Sequence, residues 1–313
     1  MKNRAMQMLS AEKIKMITAM LIVGTIGIFV HYIPIPSAVI SCIRSVIGTL
    51  FLIPVILLTK SKLQWKAIKA NAVYLTLSGA ALGFNWIFLF EAYQYTGVAV
   101  ATLCYYMAPV FVIILSPLAL KEKLTPTKLV CTMGAVLGAV LISGVFGGSG
   151  QNALGIGYGL IAAVLYCSII IINKKISGLS ALETTFCQLA VSAVVMVLYV
   201  LATIDLRSLV FTPTATTLLL VLGIVHTGIV YMLFFPAIGK LPAQTSAVLS
   251  YIDPVTAIIL SALVLQQPLG WIQIGGTVLI LGCVLLNEML SKYQQEHQKQ
   301  TIPGEQKQTE QGI

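Results

Sequence analysis

The sequence predicts an all-α polytopic membrane protein with ten transmembrane helices in two inverted five-helix repeats. Three observations carry that prediction. Hydrophobic residues make up 58% of the 313 residues and charged residues only 9%, whereas a soluble domain carries about 25% charge. The apolar residues fall in blocks of roughly 20, the length that crosses a hydrocarbon core as a helix. The second half of the chain also repeats a pattern of the first. With a mean hydropathy of +0.95, the chain has too little polar surface to cover a soluble globule.

The elements follow in order. Residues 1–13 form a basic N-terminal segment. The first apolar block, 14–33, runs past signal-peptide length without an A-x-A-type cleavage site and is expected to be a retained span. Further spans are expected at 37–59, 71–92, 97–120 and 126–145, which close the first repeat (14–145). The second repeat (146–290) supplies spans at 153–173, 180–203, 214–237, 242–265 and 269–290. Connections are short, so neighbouring helices should run antiparallel. Residues 291–313 are rich in Gln, Lys and Glu without an apolar period and are expected to be a disordered tail. The six cysteines all lie in apolar blocks without CxxC spacing, as small buried hydrophobes do.

Charge placement sets the expected orientation. With the N-terminus inside, the inner segments hold 17 of the 19 basic residues. The outer loops hold only Arg207, and Arg44 lies within a span. This positive-inside bias predicts an N-in, C-in topology and an even number of spans. The net charge of +9 is thereby an orientation signal, and no nucleic-acid partner is expected.

The repeat is specific. Tyr106-Met107-Ala108-Pro109-Val110 is followed by Ile113, Leu115-Ser116, Leu118, Leu120 and Leu124. Tyr251-Ile252-Asp253-Pro254-Val255 is followed, in register, by Ile258, Leu260-Ser261, Leu263, Leu265 and Leu269. With a one-residue slip, Gly138 matches Gly282. The period spans five helices, an odd number, so the second copy should be upside down relative to the first. Inverted repeats of this kind are characteristic of alternating-access carriers.

Nucleotide-hydrolysis, dinucleotide, nucleophile-elbow and zincin motifs are absent from the sequence, as is a paired Asp-rich motif for Mg-diphosphate. No cofactor or metal site and no enzymatic activity are expected. The informative residues are the polar ones inside spans, because placing them in lipid is costly. Arg44 and Glu91 lie at similar depth toward the outer face, which suggests a gating pair. Asp253 and His226 lie near midplane, where transporter sites concentrate, and either could carry protons during the cycle. Ser246, Ser250 and Asp253 share a helix face, and Thr102, Tyr106 and Pro109 form its first-half counterpart. Tyr106 and Tyr251 are too deep to be interfacial anchors. Tyr158, Tyr166 and Asn173 recur on one side of the sixth span. Asn85, Trp86, His31 and Tyr32 are weaker candidates. Pro109 and Pro254 each remove a backbone hydrogen bond and should kink their spans symmetrically. Glycine pairs such as Gly79/Gly83 and Gly134/Gly138 should let helices approach closely.

The duplicated blocks Thr102–Gly138 and Ala247–Gly282 resemble those of the EamA-type members of the drug/metabolite transporter superfamily. Each is a Pro-containing span, a short turn and a Gly-containing span. The turn Lys121-Glu122-Lys123-Leu124-Thr125 is similar to the family's Glu-containing turn, although the second half has Gln267 where Glu is common. A helix-end structural role is therefore expected for Glu122. The resemblance covers residues 14–290. It implies a ten-helix bundle of two inverted halves, a substrate path between them, alternating access without ATP and residence in a bacterial cytoplasmic membrane. Such proteins include exporters of amino acids and other metabolites.

These readings converge on a secondary transporter, in the export direction, of a small metabolite such as an amino acid, with protons as a coupling partner. Tyr106, Tyr251, Asp253, His226, Tyr166 and Asn85 are the expected substrate contacts, and Asp253, His226, Arg44 and Glu91 the coupling or gating groups. A channel, a sensor or a lipid-modifying enzyme is the alternative. A sensor needs an output domain and an enzyme a reactive cluster at one membrane face, and the sequence offers neither.

Overall fold

Apolar blocks flanked by polar turns become helices because a helix satisfies its own backbone groups, as a bilayer requires. The computed structural model describes residues 2–59, 63–96, 98–122, 124–142, 153–264, 270–272, 274–287 and 289–290. No strand occurs among them. The predicted tail 291–313, the turn at 266–269 with Gln267, and Lys60, Lys62 and Lys123 lie outside the described residues.

The helices are α1 (Lys2–Val23), α2 (Ile26–His31), α3 (Ser37–Leu58), α4 (Trp65–Ala70), α5 (Ala72–Thr96), α6 (Val98–Tyr105), α7 (Ala108–Leu120), α8 (Pro126–Ile142), α9 (Ala153–Asn173) and α10 (Ala181–Thr203). After a short 3₁₀ turn come α11 (Pro213–Gly223), a π-helical segment (Ile224–Ile229), α12 (Val230–Lys240), α13 (Ala243–Leu249) and α14 (Ile252–Val264). An apolar helix, α15, covers Ile274–Asn287. Six stretches are long and apolar enough to cross a membrane: Leu9–His31, Ser37–Leu58, Ala72–Tyr95, Ala153–Asn173, Ala181–Thr203 and Pro213–Lys240.

Two differences from the sequence reading concern local structure. Helix α1 starts at Lys2, so the basic N-terminal segment continues into the first span as one helix. The short α4 precedes α5 as an unpredicted turn of helix. The proline sites behave as expected: the fourth predicted span breaks between α6 and α7, and the ninth between α13 and α14. Two further breaks were not legible. The first span breaks at Gly24-Thr25, and the eighth carries the π segment.

Glycine sets the closest helix contacts. A Cβ on Gly79 would meet the Gln188 carbonyl oxygen and Val191 Cβ at 2.7 Å, and one on Gly83 would meet Val195 Cγ1 at 2.9 Å. Helices α5 and α10 therefore touch backbone to backbone along this stripe. A Cβ on Gly159 would meet Cys104 Cβ at 2.7 Å, and one on Gly138 would meet the Gly276 carbonyl at 2.7 Å. All six cysteines are free, four of them buried.

The end of the bundle that carries the lysine-rich turns is tied together by polar contacts. Glu12 accepts hydrogen bonds from Lys240 Nζ at 2.9 Å and Lys15 Nζ at 3.1 Å. Glu122 accepts from the backbone N–H groups of Ala243 at 2.8 Å and Gln244 at 3.4 Å. It thus caps the first turn of α13, the helix-end role expected for it. Lys174 Nζ donates to the carbonyls of Leu241 and Gly239. Burial pushes the Lys174 ammonium below its ordinary range, and nearby Glu122 offsets part of that. Asn71 and Ser177 exchange hydrogen bonds at 2.8 and 3.2 Å.

Helix α10 opens with a capping box: Glu183 accepts from Ser180 N at 2.8 Å while Ser180 Oγ accepts from Glu183 N at 3.3 Å. Glu183 also accepts from Gln64 N at 2.6 Å. Replacing Glu183 by Ala orphans both donors and is expected to cost about 1–2 kcal/mol. A lowered melting temperature in detergent, with Glu183→Gln intermediate, is the readout.

Candidate functional site

The four helix breaks lie around one central cavity of about 90 Å³. Its wall includes Met20 and Val23 of α1, Arg44 of α3, Asn85 and Trp86 of α5, and Tyr105 and Tyr106 at the α6–α7 break. Tyr166, His226, Tyr231, Phe234, Ser250, Tyr251 and Asp253 complete it. A second space of about 350 Å³ shares Arg44, Trp86, Tyr105, Tyr106 and Asp253 with the first. It extends past Ser37, Phe90, Tyr93 and Thr102, away from the lysine-rich end. The cavity thus continues toward one end of the bundle, while polar contacts tie the other.

Broken helices place polar backbone groups and side chains at this depth. Pro109 and Pro254 lack an N–H, so neither bonds the carbonyl four residues back; the Ser250 carbonyl accepts from Asp253 N at 3.3 Å instead. Tyr251, fully buried, donates from its hydroxyl to the Tyr106 carbonyl at 2.9 Å. The two tyrosines of the repeated motif thereby touch, with ring centroids 6.5 Å apart. Tyr166 OH and Ser250 Oγ are 3.2 Å apart. Asn85 donates to the Ala162 carbonyl at 2.6 Å and accepts from Tyr105 OH at 3.5 Å, which fixes its amide orientation.

Asp253 sits in the first turn of α14, where the helix dipole favours a negative charge. Its side chain makes no hydrogen bond or ion pair to the described residues, and it lines both spaces. The break at Gly24-Thr25 lets the first span pack directly on this turn. A Cβ on Gly24 would meet Thr256 Cβ at 2.5 Å and the Asp253 carbonyl at 2.8 Å.

His226 lies within the π segment, and its Nε2 is 2.6 Å from Thr25 Oγ1. Thr25 donates its single hydroxyl hydrogen to the Ile22 carbonyl at 2.7 Å. The Thr25 hydroxyl thus sits between the His226 ring and the Ile22 carbonyl. Phe29 packs edge-on at 4.7 Å. His226 and Asp253 share the cavity wall, with no hydrogen bond or ion pair between them.

The expected Arg44–Glu91 pair does not form. Glu91 accepts from the Tyr199 hydroxyl. Arg44, buried in α3, donates from Nε to Thr227 Oγ1 at 3.2 Å, and its guanidinium lies 4.7 Å from the Trp86 ring centroid. Matched depth was legible in the sequence. The direction each side chain takes around its helix axis depends on which neighbour packs there, and the hydropathy pattern does not carry that. Among the weaker candidates, Trp86 lines the cavity. Tyr158 packs instead on Phe88 and Tyr95, and Asn173 accepts from Gln188 Nε2 at 3.2 Å. Tyr32 is exposed and packs on His31. Tyr105, Tyr231, Phe234, Thr25 and Thr227 were missed by sequence reasoning. Their only signal is an aromatic or hydroxyl side chain close to a Gly or Pro break.

Comparison with known proteins adds four findings. The model of the EamA-like transporter family matches residues 12–144 and 153–289. An uncharacterized transporter, YxxF, of Bacillus subtilis (strain 168) is 32% identical over 276 residues, covering 85% of this chain and 87% of that protein. An uncharacterized transporter of Archaeoglobus fulgidus is 26% identical, over 79% of this chain and 86% of its own length. A solved crystal structure superposes with a TM-score of 0.80 at 18% identity, over 90% of this chain and 98% of its own. That likeness is one of fold.

Proposed function

The chain belongs to the EamA-like transporter family, and from that premise we propose that it is a secondary active carrier. It exports a small metabolite such as an amino acid across the bacterial cytoplasmic membrane by alternating access. One observation carries the reading: a central cavity holding Asp253 and Arg44, neither with an ionic partner among the described residues, shares its wall with a space that leads away from the lysine-rich end. A channel needs a path through both ends, whereas a carrier is closed at one end in each state.

In this reading ten spans form two inverted halves, with the short apolar helices Ala108–Leu120, Pro126–Leu141 and Ile274–Asn287 belonging to the broken or final spans. The Tyr251–Tyr106 contact joins positions one repeat period apart, as an axis relating the halves would require. Lysine-rich turns at the closed end support a cytoplasmic side for that end by the positive-inside rule, and the N-in, C-in topology of this reading follows from it. The conformation is then outward-open, and Glu12–Lys240, Glu122–Ala243 and Lys174–Leu241 form the inner seal. Asp253 exchanges a proton with the outward space during the cycle.

The test is counterflow in proteoliposomes loaded with members of a metabolite panel. Saturable uptake of a labelled metabolite against its own unlabelled pool is expected for at least one solute. Non-saturating flux without trans-stimulation would establish a channel instead.

A further inference from the structure

Arg44 is a buried cation without a counter-ion among the described residues. It is 4% exposed, and no carboxylate among the described residues lies within ion-pair distance of it. Its contacts are a neutral hydroxyl and an aromatic face: Thr227 Oγ1 at 3.2 Å from Nε and the Trp86 ring at 4.7 Å. Both contacts orient a guanidinium without neutralising it. Thr227 is itself fixed, because it donates to the Leu222 carbonyl at 3.0 Å, five residues back, across the π segment. With Nε so held, the two terminal nitrogens make no hydrogen bond to the described residues, and the side chain lines both the cavity and the space continuous with it.

A guanidinium stays charged throughout any physiological cycle, so it cannot serve as the proton carrier. Its free edge is a rigid two-donor fork that matches a carboxylate. A buried cation without a counter-ion is costly, and an incoming anion removes that cost. The rest of the wall limits which anion. No lysine is among the residues lining the cavity, and Asp253 on the same wall disfavours a second negative charge on the ligand, which argues against a phosphate dianion. Much of the remaining wall is apolar or aromatic, with Tyr106, Tyr166 and Phe234 beside Met20, Leu82 and Ile169.

We propose that Arg44 is the anion anchor of this cavity and that its ligand is an organic monocarboxylate or zwitterion. The carboxylate docks on the two free guanidinium nitrogens, and the less polar part of the solute lies against the tyrosines. Trp86 and Thr227 are positioning residues for the fork. The inference rests on the carrier reading and names the substrate class of that same site.

Matched acids and amides test it on the purified protein: phenylacetate against phenylacetamide, and leucine against leucinamide. In a Trp65→Phe, Trp271→Phe background, Trp86 fluorescence reports occupancy beside Arg44. The acids are expected to bind at least about tenfold more tightly than their amides, as hydrogen bonds to a charged group imply. Thr227→Val should shrink that ratio several-fold, and Arg44→Gln should abolish it in folded protein. Equal binding of acid and amide, no binding of either acid, or an acid preference that survives Arg44→Gln would overturn the proposal. A shift produced by chloride alone, with no acid preference, would also overturn it. The wild-type comparison decides the matter if Arg44→Gln does not fold. Counterflow without acid preference would remove the anchor and leave the carrier. Acid preference without counterflow would do the reverse.

Discussion

Asp253→Asn is expected to reduce pH-gradient-driven transport by about a hundredfold or more, equivalent to ~2.7 kcal/mol at ~1.4 kcal/mol per decade. The amide keeps the shape and the hydrogen-bonding reach of the carboxyl but cannot release a proton. Exchange between equal pools needs no net proton movement, so counterflow should persist. The side chain lines both spaces and makes no hydrogen bond to the described residues, so little of the fold depends on its charge. Proteoliposomes with an imposed pH gradient give the measurement. Gradient-driven flux at the wild-type rate in this variant would remove Asp253 from the coupling role.

Gly79→Val should have the largest effect on folding. Its β-carbon would sit 2.7 Å from the Gln188 carbonyl oxygen and from Val191 Cβ. Neither neighbour is the flexible tip of a side chain, so α5 and α10 must separate along the stripe that Gly83 continues. Overpacking costs about 1–3 kcal/mol, and a backbone contact places this case at the upper end. The expected result is a sharp loss of monodisperse protein and a lowered melting temperature. Gly157→Ala is the control, because nothing lies within 4 Å of a β-carbon there. Equal behaviour of the two variants would show that the α5–α10 contact does not limit stability.

Much of the scaffold was legible because the bilayer imposes a length and a polarity on each helix. The span predicted at 153–173 is the helix Ala153–Asn173, and that predicted at 180–203 is Ala181–Thr203. The proline breaks were legible because a missing N–H is visible in the sequence. The break at Gly24-Thr25 and the π segment were not, because each depends on a partner from elsewhere in the bundle. Thr25 meets His226, and a Gly24 side chain is excluded by Thr256 and the Asp253 carbonyl. The cavity residues followed the same division. Depth along a helix could be read for Asp253, His226, Tyr106 and Tyr251, and all four line the cavity. Rotation about the axis could not be read. Arg44 therefore has Thr227 and Trp86 as neighbours, and Glu91 has Tyr199.

The π segment at Ile224–Ile229 has one more consequence. Each residue of an α-helix advances the side-chain direction by about 100°, so an extra residue re-aims everything after it unless a wide turn absorbs it. The π segment is such a turn, and Tyr231 and Phe234 beyond it line the cavity. Removing one residue from the segment would restore an ordinary helix with both rings still on the wall, whereas adding one with no wider turn to hold it would swing them off. The segment is therefore where this helix takes up a change of residue count without re-aiming its side of the cavity.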